Sequence, residues 1–140
     1  MLCVAHTAGD DRKHHVIARG RDVFALLNLY PYSNGHLLLA PYRHIARFEE
    51  IAAAEWEELL RMVQRLVVQM KTLLRAQGFN LGVNLGRVAG AGIPGHLHVH
   101  LVPRWQGDSN YMPVVGRTRV ISQSLDELYR LLTRTSGKRP

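Results

Sequence analysis

Histidine and aliphatic residues alternate without interruption over residues 96–102, which read His-Leu-His-Val-His-Leu-Val. Successive side chains of a β-strand point to opposite faces, so a strand here places three imidazoles on one face. Leu97, Val99 and Leu101 fall on the other face, which can pack beneath a helix. Pro103 is expected to end the strand, because proline has no N–H to donate to a sheet.

A helical period dominates residues 51–77, where apolar side chains recur at spacings of three and four residues. They are Trp56, Leu59, Leu60, Val63, Leu66, Val67, Met70, Leu73 and Leu74. Glutamates crowd the start of this segment and Lys71 and Arg75 lie near its end, which matches the helix dipole, and Gly78 follows as a left-handed cap. We predict one long amphipathic helix with a solvated charged face.

Five runs have the character of strands: residues 16–19, 22–30, 35–40, 79–85 and 96–102. Gly20 and the loop 31–34 separate the first three runs by tight turns, which predicts antiparallel pairing. A short C-terminal helix over residues 122–133 is capped by Ser122 or Ser124.

The predicted order of elements is strand, strand, strand, helix, strand, strand, helix, which indicates the α+β class. We expect an antiparallel sheet of about five strands with one long helix and a short C-terminal helix. The 140 residues contain no repeat and no linker, so we expect a single domain over residues 1–140. No apolar run approaches the ~20 residues of a membrane helix and no leader opens the chain, so we expect a cytoplasmic protein without a membrane partner.

The charge of the chain narrows the class of its partner. Lysine and arginine number 18 against 11 aspartate and glutamate, a net charge of +7 with histidine neutral. This favours a nucleotide, a phosphate ester or a nucleic acid, and nucleic acid is the least favoured because aromatic residues do not interleave with basic ones. The single cysteine, Cys3, excludes an intramolecular disulfide and a cysteine-rich zinc site.

The row of histidines has a limited set of chemical uses. Neighbours on one strand face are about 6.5–7 Å apart, so His96 and His100 are about 13 Å apart at the backbone, and three ligands from one strand would bind one metal ion only with strain. A neutral imidazole is a nucleophile near pH 7, and an imidazolium is a counter-charge for phosphate. The row indicates phosphoryl or nucleotidyl transfer with His98 as the attacking group; a metal site and a plain polar face are the alternatives.

The His-x-His-x-His motif at residues 96–100, followed by hydrophobic residues and Pro-Arg, resembles the signature of the histidine-triad (HIT) family. Segments 28–36 and 92–110 are similar to the branch of this family that contains diadenosine tetraphosphate phosphorylases and hydrolases. The likeness extends over about residues 10–132. It implies a HIT-like fold, a homodimer and a dinucleoside polyphosphate substrate.

The resemblance also implies roles for four histidines. His98 is similar to the nucleophile that forms a nucleotidyl-imidazole intermediate, and His100 to the residue that faces the α-phosphate. His96 would orient His98 through its main-chain carbonyl. His36 resembles the fourth active-site histidine, although turn chemistry alone also allows a surface residue beside a turn.

Six further residues are candidates for contact with the substrate: Asn28, Asn84, Gly92, Gly95, Arg104 and Trp105. Asn28 matches a ribose contact and Asn84 an asparagine of the phosphate site, although asparagine also ends strands and starts loops. The glycines of residues 86–95 either cradle phosphate with main-chain N–H groups or form a plain connection. Arg104 and Trp105 contact the distal half of the dinucleotide or pack at a subunit boundary.

One position departs from the family pattern. Several branches have Gln, Ser or Thr three or four residues before the first histidine of the motif, where this chain has Gly92 and Ile93. Without that side chain, the leaving group needs another proton donor or must leave unprotonated. Polyphosphate leaves well and an amine does not, so the change favours dinucleoside polyphosphates over phosphoramidates.

Metal content is a separate expectation. Many relatives bind zinc with two N-terminal cysteines and two histidines; Cys3 resembles the second cysteine, and His44 and His96 resemble the histidines. The first cysteine would fall before Met1, so either the zinc site is lost or the chain begins late. We expect catalysis to need no metal and no cofactor, with Cys3, His44 and His96 as the alternative zinc site. Mg²⁺, where it takes part, is expected to enter with the polyphosphate.

The sequence thus predicts a nucleotidyl hydrolase or transferase that cleaves dinucleoside polyphosphates, such as diadenosine tetraphosphate, through a covalent nucleotidyl-His98 intermediate. Water or phosphate completes the reaction, and hydrolysis and phosphorolysis both stay open. The alternative from a different class is a non-catalytic nucleotide-binding or RNA-binding module, which the charge of +7 suggests.

Overall fold

One antiparallel sheet with strand order β1-β2-β3-β5-β4 organises the chain. The computed structural model describes residues 2–7, 9–109 and 121–134. The strands are β1 (Val16–Arg19), β2 (Val23–Leu27), β3 (Leu37–Pro41), β4 (Gly78–Gly82) and β5 (Val99–Arg104). The predicted sheet of about five antiparallel strands is confirmed. Strand β3 pairs with β5, which begins just after His98.

Among the described residues, three α-helices accompany the sheet: α1 (Leu2–Thr7), α2 (Ala53–Leu74) and α3 (Leu125–Thr133). Helix α2 covers one face of the sheet, where Leu59, Leu66 and Met70 share a buried core cluster with Val99 and Leu101 of β5. The apolar face of the predicted histidine strand therefore packs beneath the predicted long helix. Burial of each such side chain stabilises the fold by roughly 1.5–3 kcal/mol.

Helix α1 is absent from the sequence prediction. Its Leu2 and Ala5 form a second buried cluster with Phe24, Leu26 and Leu38 on the face of the sheet opposite α2. Six residues are too few for a helical period to stand out from the sequence. Only the packing against the sheet reveals this helix.

The ends of α2 differ from the prediction of 51–77. The helix spans Ala53–Leu74, and its left-handed cap is Arg75, with a φ of 53°. The predicted cap, Gly78, instead begins β4. The helix stops early because the chain must turn back to pair Gly78 with Arg104 of β5.

Strand β5 begins later and ends later than predicted. It continues through Pro103, and the expectation that this proline ends the strand is wrong. Pairing with β3 involves only Val99–Leu101, so Pro103 lies where β5 borders β4 alone. The Pro103 carbonyl accepts a hydrogen bond from Ser33 Oγ on the unpaired side, and the missing N–H therefore costs no sheet hydrogen bond.

Strand β1 has the predicted bounds, Val16–Arg19, and β3 spans Leu37–Pro41 where residues 35–40 were predicted, whereas β2 and β4 end earlier than predicted. Strand β2 ends at Leu27, where the prediction continued to residue 30, because the chain turns at Asn28. Strand β4 ends at Gly82, where the prediction continued to residue 85. β4 lies at the edge of the sheet, and the predicted apolar face is only partly covered there, since Leu81 and Leu85 are half exposed.

Helix α3 begins directly after Ser124, which decides between the two predicted caps. Ser124 Oγ accepts the main-chain N–H of Glu127 (3.3 Å), and the Glu127 carboxylate accepts the N–H of Ser124 (3.0 Å). This reciprocal pair is a capping box. Leu128 and Leu132 bury the helix against the α2 core. None of the helices in the described ranges has the length and apolar character that crossing a membrane requires.

Candidate active site

The histidines lie on the face of the sheet opposite α2. His100 alternates with Val99 and Leu101, whose side chains belong to the α2 core, so its ring points the other way. The ring centroids of His98 and His100 are 4.9 Å apart, and those of His36 and His100 are 5.1 Å apart. The structure thus brings together the predicted His36, His98 and His100, which are 1%, 4% and 9% exposed.

The hydrogen bond of His98 fixes the position of its proton. Nδ1 lies 2.7 Å from the main-chain carbonyl oxygen of His96, which is the contact that the resemblance implies. A carbonyl only accepts, so Nδ1 carries the proton and the lone pair of a neutral ring is on Nε2. Nε2 has no partner among the described residues and keeps some solvent access. His98 therefore presents a nucleophilic nitrogen to the surface of the site.

His36 and His100 form a chain of hydrogen bonds that begins at a main-chain group. The N–H of Tyr32 donates to His36 Nδ1 (3.0 Å), so a neutral His36 carries its proton on Nε2. His36 Nε2 then donates to His100 Nδ1 (2.9 Å), and His100 carries its proton on Nε2. That Nε2 is buried and has no partner among the described residues. This unpaired buried N–H of His100, beside the nucleophilic nitrogen of His98, is suited to donate to an anionic ligand.

Burial keeps His100 neutral. Its pKa is lowered from 6.5 to about 4, first by desolvation and then by the charge of a protonated His98. The site at neutral pH therefore holds one imidazole with a free lone pair and one with a free N–H. Nucleophilic attack on phosphorus needs the first group, and stabilisation of a phosphoryl oxygen needs the second.

His96 faces a different direction from the other two histidines of the motif. Its Nε2 donates to the carbonyl of Pro41 (2.9 Å), and its Nδ1 lies 3.4 Å from Sγ of Cys3. The chain reaches its extended strand only at Val99, so the strict alternation expected from residue 96 does not hold at this end. His96 contacts His98 through its main chain, and its ring belongs to a second cluster.

That second cluster contains Cys3, His44 and His96, the residues of the alternative zinc site. One ligand atom of each lies within 4.8 Å of the others, and Cys3 Sγ is 3.0 Å from His44 Nδ1. Zinc binds thiolate and imidazole at ~2.0–2.3 Å, which such spacing permits. The Nε2–H of His96 donates to a carbonyl, as is common for histidines that bind a metal. One thiol and two imidazoles, together with the hydrogen bond from His96 to a carbonyl, fit a zinc ion with three protein ligands.

The two predicted asparagines hold loops. Asn28 is 8% exposed; its Oδ1 accepts the N–H of Tyr30 (3.0 Å), and its Nδ2 lies 3.3 Å from His36 Nδ1. Asn84 Nδ2 donates to the carbonyl of Gly90 (3.3 Å) across the glycine-rich loop. Asn28 lies beside the histidine chain as expected, and the ribose and phosphate contacts of both residues stay predictions.

The glycine-rich loop is folded on itself before it reaches the histidines. The N–H of Gly90 donates to the carbonyl of Arg87, and the N–H of Ala91 to that of Gly86. Gly92 has open space where a side chain would begin, whereas at Gly95 the nearest atom to such a group is Nε2 of His44, at 3.8 Å. Contact of Gly92 and Gly95 with phosphate stays a prediction.

Arg104 and Trp105 lie at the far end of β5. Arg104 follows His98 by six positions, which is about 20 Å along an extended chain. The Arg104 guanidinium binds both carboxylate oxygens of Asp108 (2.6 and 2.7 Å) and holds the pKa of that carboxyl well below its usual range. Trp105 Nε1 donates to the carbonyl of Leu74 (3.2 Å). Their polar groups are occupied within the chain, and substrate contact stays a prediction for both.

Tyr32 contacts the histidines of the site, although the sequence predicted no role for it. It lies in the segment 28–36 that carries the resemblance, but its ring stacks on His100 and its main chain fixes His36. No spacing rule points to this contact, because the loop conformation creates it. Asn110, the last residue of the other segment, lies outside the described residues.

Comparison with known proteins places the chain in a family. The model of the HIT domain matches residues 10–107. The AP-4-A phosphorylase of Mycobacterium tuberculosis is 43% identical over 130 residues, which are 93% of this chain and 67% of that protein. The fold, the arrangement of histidines and these matches define the class: the chain belongs to the histidine-triad family.

Solved structures agree with this assignment. A hypothetical histidine triad nucleotide-binding protein from Sulfolobus tokodaii superposes with a TM-score of 0.73 at 28% identity, covering 95% of this chain and 86% of that one. A zinc-bound histidine triad family protein from Mycobacterium smegmatis has a TM-score of 0.72 at 24% identity, covering 86% and 82%. The predicted HIT-like fold is therefore confirmed.

Proposed function

We propose that the protein cleaves dinucleoside polyphosphates such as diadenosine tetraphosphate through a covalent nucleotidyl-His98 intermediate. Two neighbouring groups support the proposal: a free lone pair on His98 Nε2 and an unpaired N–H on His100 Nε2. The centroids of the two rings are 4.9 Å apart. The net charge of +7 suits a polyanionic substrate. The 43% identity to the mycobacterial AP-4-A phosphorylase supports the same substrate class.

In the first step His98 Nε2 attacks the α-phosphorus. The bond from phosphorus to the bridging oxygen breaks, and its electron pair leaves with the nucleoside polyphosphate, which is ATP for diadenosine tetraphosphate. The His100 N–H donates to a non-bridging oxygen as charge builds there. The new positive charge on His98 is stabilised by its Nδ1–H bond to the His96 carbonyl.

In the second step phosphate attacks the AMP-imidazole and releases His98. The products are then ADP and ATP, whereas water would give AMP and ATP. Gly92 and Ile93 supply no acidic or basic side chain at the position where several family branches have a polar one. Phosphate dianion attacks without losing a proton, but water needs a base, and this difference favours phosphorolysis.

Product analysis with and without phosphate tests both steps. Wild-type protein is expected to form equal amounts of ADP and ATP, with a rate that depends on phosphate. His98→Asn should lower turnover by at least about 10³-fold while binding nucleotide and unfolding at the wild-type temperature. Turnover that survives in His98→Asn would reject the nucleophile, and AMP formed without phosphate would assign hydrolysis instead. Nucleotide binding without any turnover in the wild type would leave only the non-catalytic module.

We also infer that zinc is bound by Cys3, His44 and His96 and has a structural role. The reaction is proposed to need no cofactor, since lone pair and proton donor come from imidazoles. The metal, when bound, would fix the ring of His96 and with it the loop that precedes β5. The zinc-bound mycobacterial neighbour supports the choice of metal. Entry of Mg²⁺ with the substrate stays a prediction, which turnover in a chelator tests.

Three broader expectations remain proposals. A homodimer is supported by the open edge of β4, where Leu81 and Leu85 are half exposed, and by Val68 on α2, which is 66% exposed. Light scattering of the purified protein tests it. A single domain over residues 1–140 predicts one unfolding transition. The cytoplasmic location is checked by cell fractionation.

A further inference from the structure

Tyr32 contacts both histidines of the hydrogen-bond chain. Its ring centroid lies 4.6 Å from that of His36 and 5.6 Å from that of His100, and it is nearly parallel to His100, with an interplanar angle of 15°. Its main-chain N–H donates to His36 Nδ1 (3.0 Å). The Tyr32 N–H is the shorter of two donor contacts to His36 Nδ1, the other being from Asn28 Nδ2 (3.3 Å), and its ring lies against a face of His100.

We propose that Tyr32 is a positioning residue for nucleotidyl transfer. Its N–H holds the proton of His36 on Nε2, and its ring holds the imidazole of His100 in the plane where Nε2–H meets the phosphoryl oxygen. The proposal rests on the function proposed above, because that function supplies the phosphoryl group.

The donor to His36 Nδ1 is a main-chain group whose role cannot reverse. An amide N–H cannot become an acceptor, so His36 must present a lone pair on Nδ1. The proton on His36 Nε2 then forces His100 to accept at Nδ1 and to carry its own proton on Nε2. The opposite arrangement would leave a lone pair on His100 Nε2, which repels a phosphoryl oxygen. The Tyr32 N–H, with the Asn28 amide beside it, therefore favours the tautomer in which His100 donates to the substrate.

The ring of Tyr32 restricts the orientation of the His100 imidazole. Its hydrogen bond to His36 fixes one edge of the imidazole but not its tilt about that bond. The stacked ring of Tyr32 restricts the tilt from one side. A displacement of about 1 Å of a group that contacts the reacting atoms can reduce the reaction rate by about 100-fold. A stacking residue that never touches the reacting atoms can therefore control the rate.

Tyr32 is not needed by the core of the protein. The residue as a whole is 48% exposed, and neither buried cluster formed by the described residues includes it. A structural role would place such a ring inside, as with Phe24, which is fully buried. Replacement of Tyr32 is thus expected to leave the fold intact, which makes a kinetic test interpretable.

The kinetic test compares Tyr32→Leu with Tyr32→Phe. Leucine removes the aromatic ring but keeps the main-chain N–H, and kcat for diadenosine tetraphosphate should fall about 10–100-fold with KM within about threefold. Phenylalanine should restore kcat to within about threefold of the wild type. Tyr30→Leu changes a neighbouring ring that is 82% exposed and is the matched control, with kcat within twofold. Wild-type kcat in Tyr32→Leu, a change in KM alone, or equal losses in Tyr32→Phe would overturn the ring role.

The proton positions are tested without turnover. Long-range ¹H–¹⁵N spectra of the wild-type protein at neutral pH should place the protons of both His36 and His100 on Nε2. A proton on Nδ1 of either ring would overturn the tautomer role. Because this measurement needs no substrate, it separates failure of the inference from failure of the proposed function, which turnover in His98→Asn decides.

Discussion

The imidazole Nδ1 of His98 lies 2.7 Å from the main-chain carbonyl oxygen of His96. This bond leaves the Nε2 lone pair directed at the site, so the protein should form a phosphoramidate adduct. Incubation with labelled diadenosine tetraphosphate in the absence of phosphate is expected to give up to one AMP per chain that is stable to alkali and labile to acid. His98→Asn is the control and should carry no label, whereas label on that variant would place the adduct elsewhere.

The buried neutral state of His100 makes stability depend on pH. Its pKa is lowered to about 4 in the folded protein against 6.5 in the unfolded chain. Between these values the unfolded chain binds the proton more strongly, so stability is full above pH 6.5 and falls as the pH approaches 4, by about 3 kcal/mol at most. Urea unfolding at pH 7 and pH 5 checks this, with His100→Gln as the comparison. The variant should show a smaller pH-dependent loss; an equal loss in both proteins would contradict the assignment.

Zinc should stabilise the wild-type protein through the cluster of Cys3, His44 and His96. A free zinc concentration 100-fold above Kd stabilises a folded state by about 2.7 kcal/mol, which raises Tm by several degrees. Cys3→Ala and His44→Ala should abolish the increase, whereas His14→Ala, outside the cluster, should retain it. Thermal unfolding with zinc and with a chelator measures the effect. The same increase in all variants would show binding at another site.

Gly35 occupies a left-handed backbone position close to the end of α2. Its φ is +76°, and an added Cβ would lie 2.8 Å from Leu74 Cδ1 and 3.3 Å from Met70 Cε. Gly35→Ala is therefore expected to lower the free energy of unfolding by about 1–2 kcal/mol, chiefly from the left-handed backbone, because the side-chain ends of Leu74 and Met70 can shift. Activity should fall as well, because His36 follows directly.

The control for this change is Gly78→Ala, where the nearest atom to an added Cβ is 3.9 Å away and φ is ordinary. It should change stability by no more than about 0.5 kcal/mol. Chemical unfolding measures both variants. Equal effects at the two positions would mean that neither backbone strain nor crowding controls Gly35.

The elements predicted best from the sequence are those in which a hydrophobic pattern repeats over many residues. The spacing of Leu59, Leu66 and Met70 predicts α2, and the alternation of Val99 and Leu101 with histidines predicts the strand beneath it. The ends of these elements were less accurate, because they depend on pairing partners distant in sequence. Pro103 is the clearest case: it is tolerated only because β3 does not extend alongside it.

The sequence by itself determined the fold class and the family, and it singled out His36, His96, His98 and His100 as candidates, because periodicity and motif spacing are properties of neighbours along the chain. Only the tertiary structure decided how the histidines divide into two groups. His96 reaches the carbonyl of Pro41, 55 residues away, while His36 reaches His100 across 64 residues. The proton on each ring is set by these distant partners, and no local pattern encodes which atom a folded loop will bring within 3 Å.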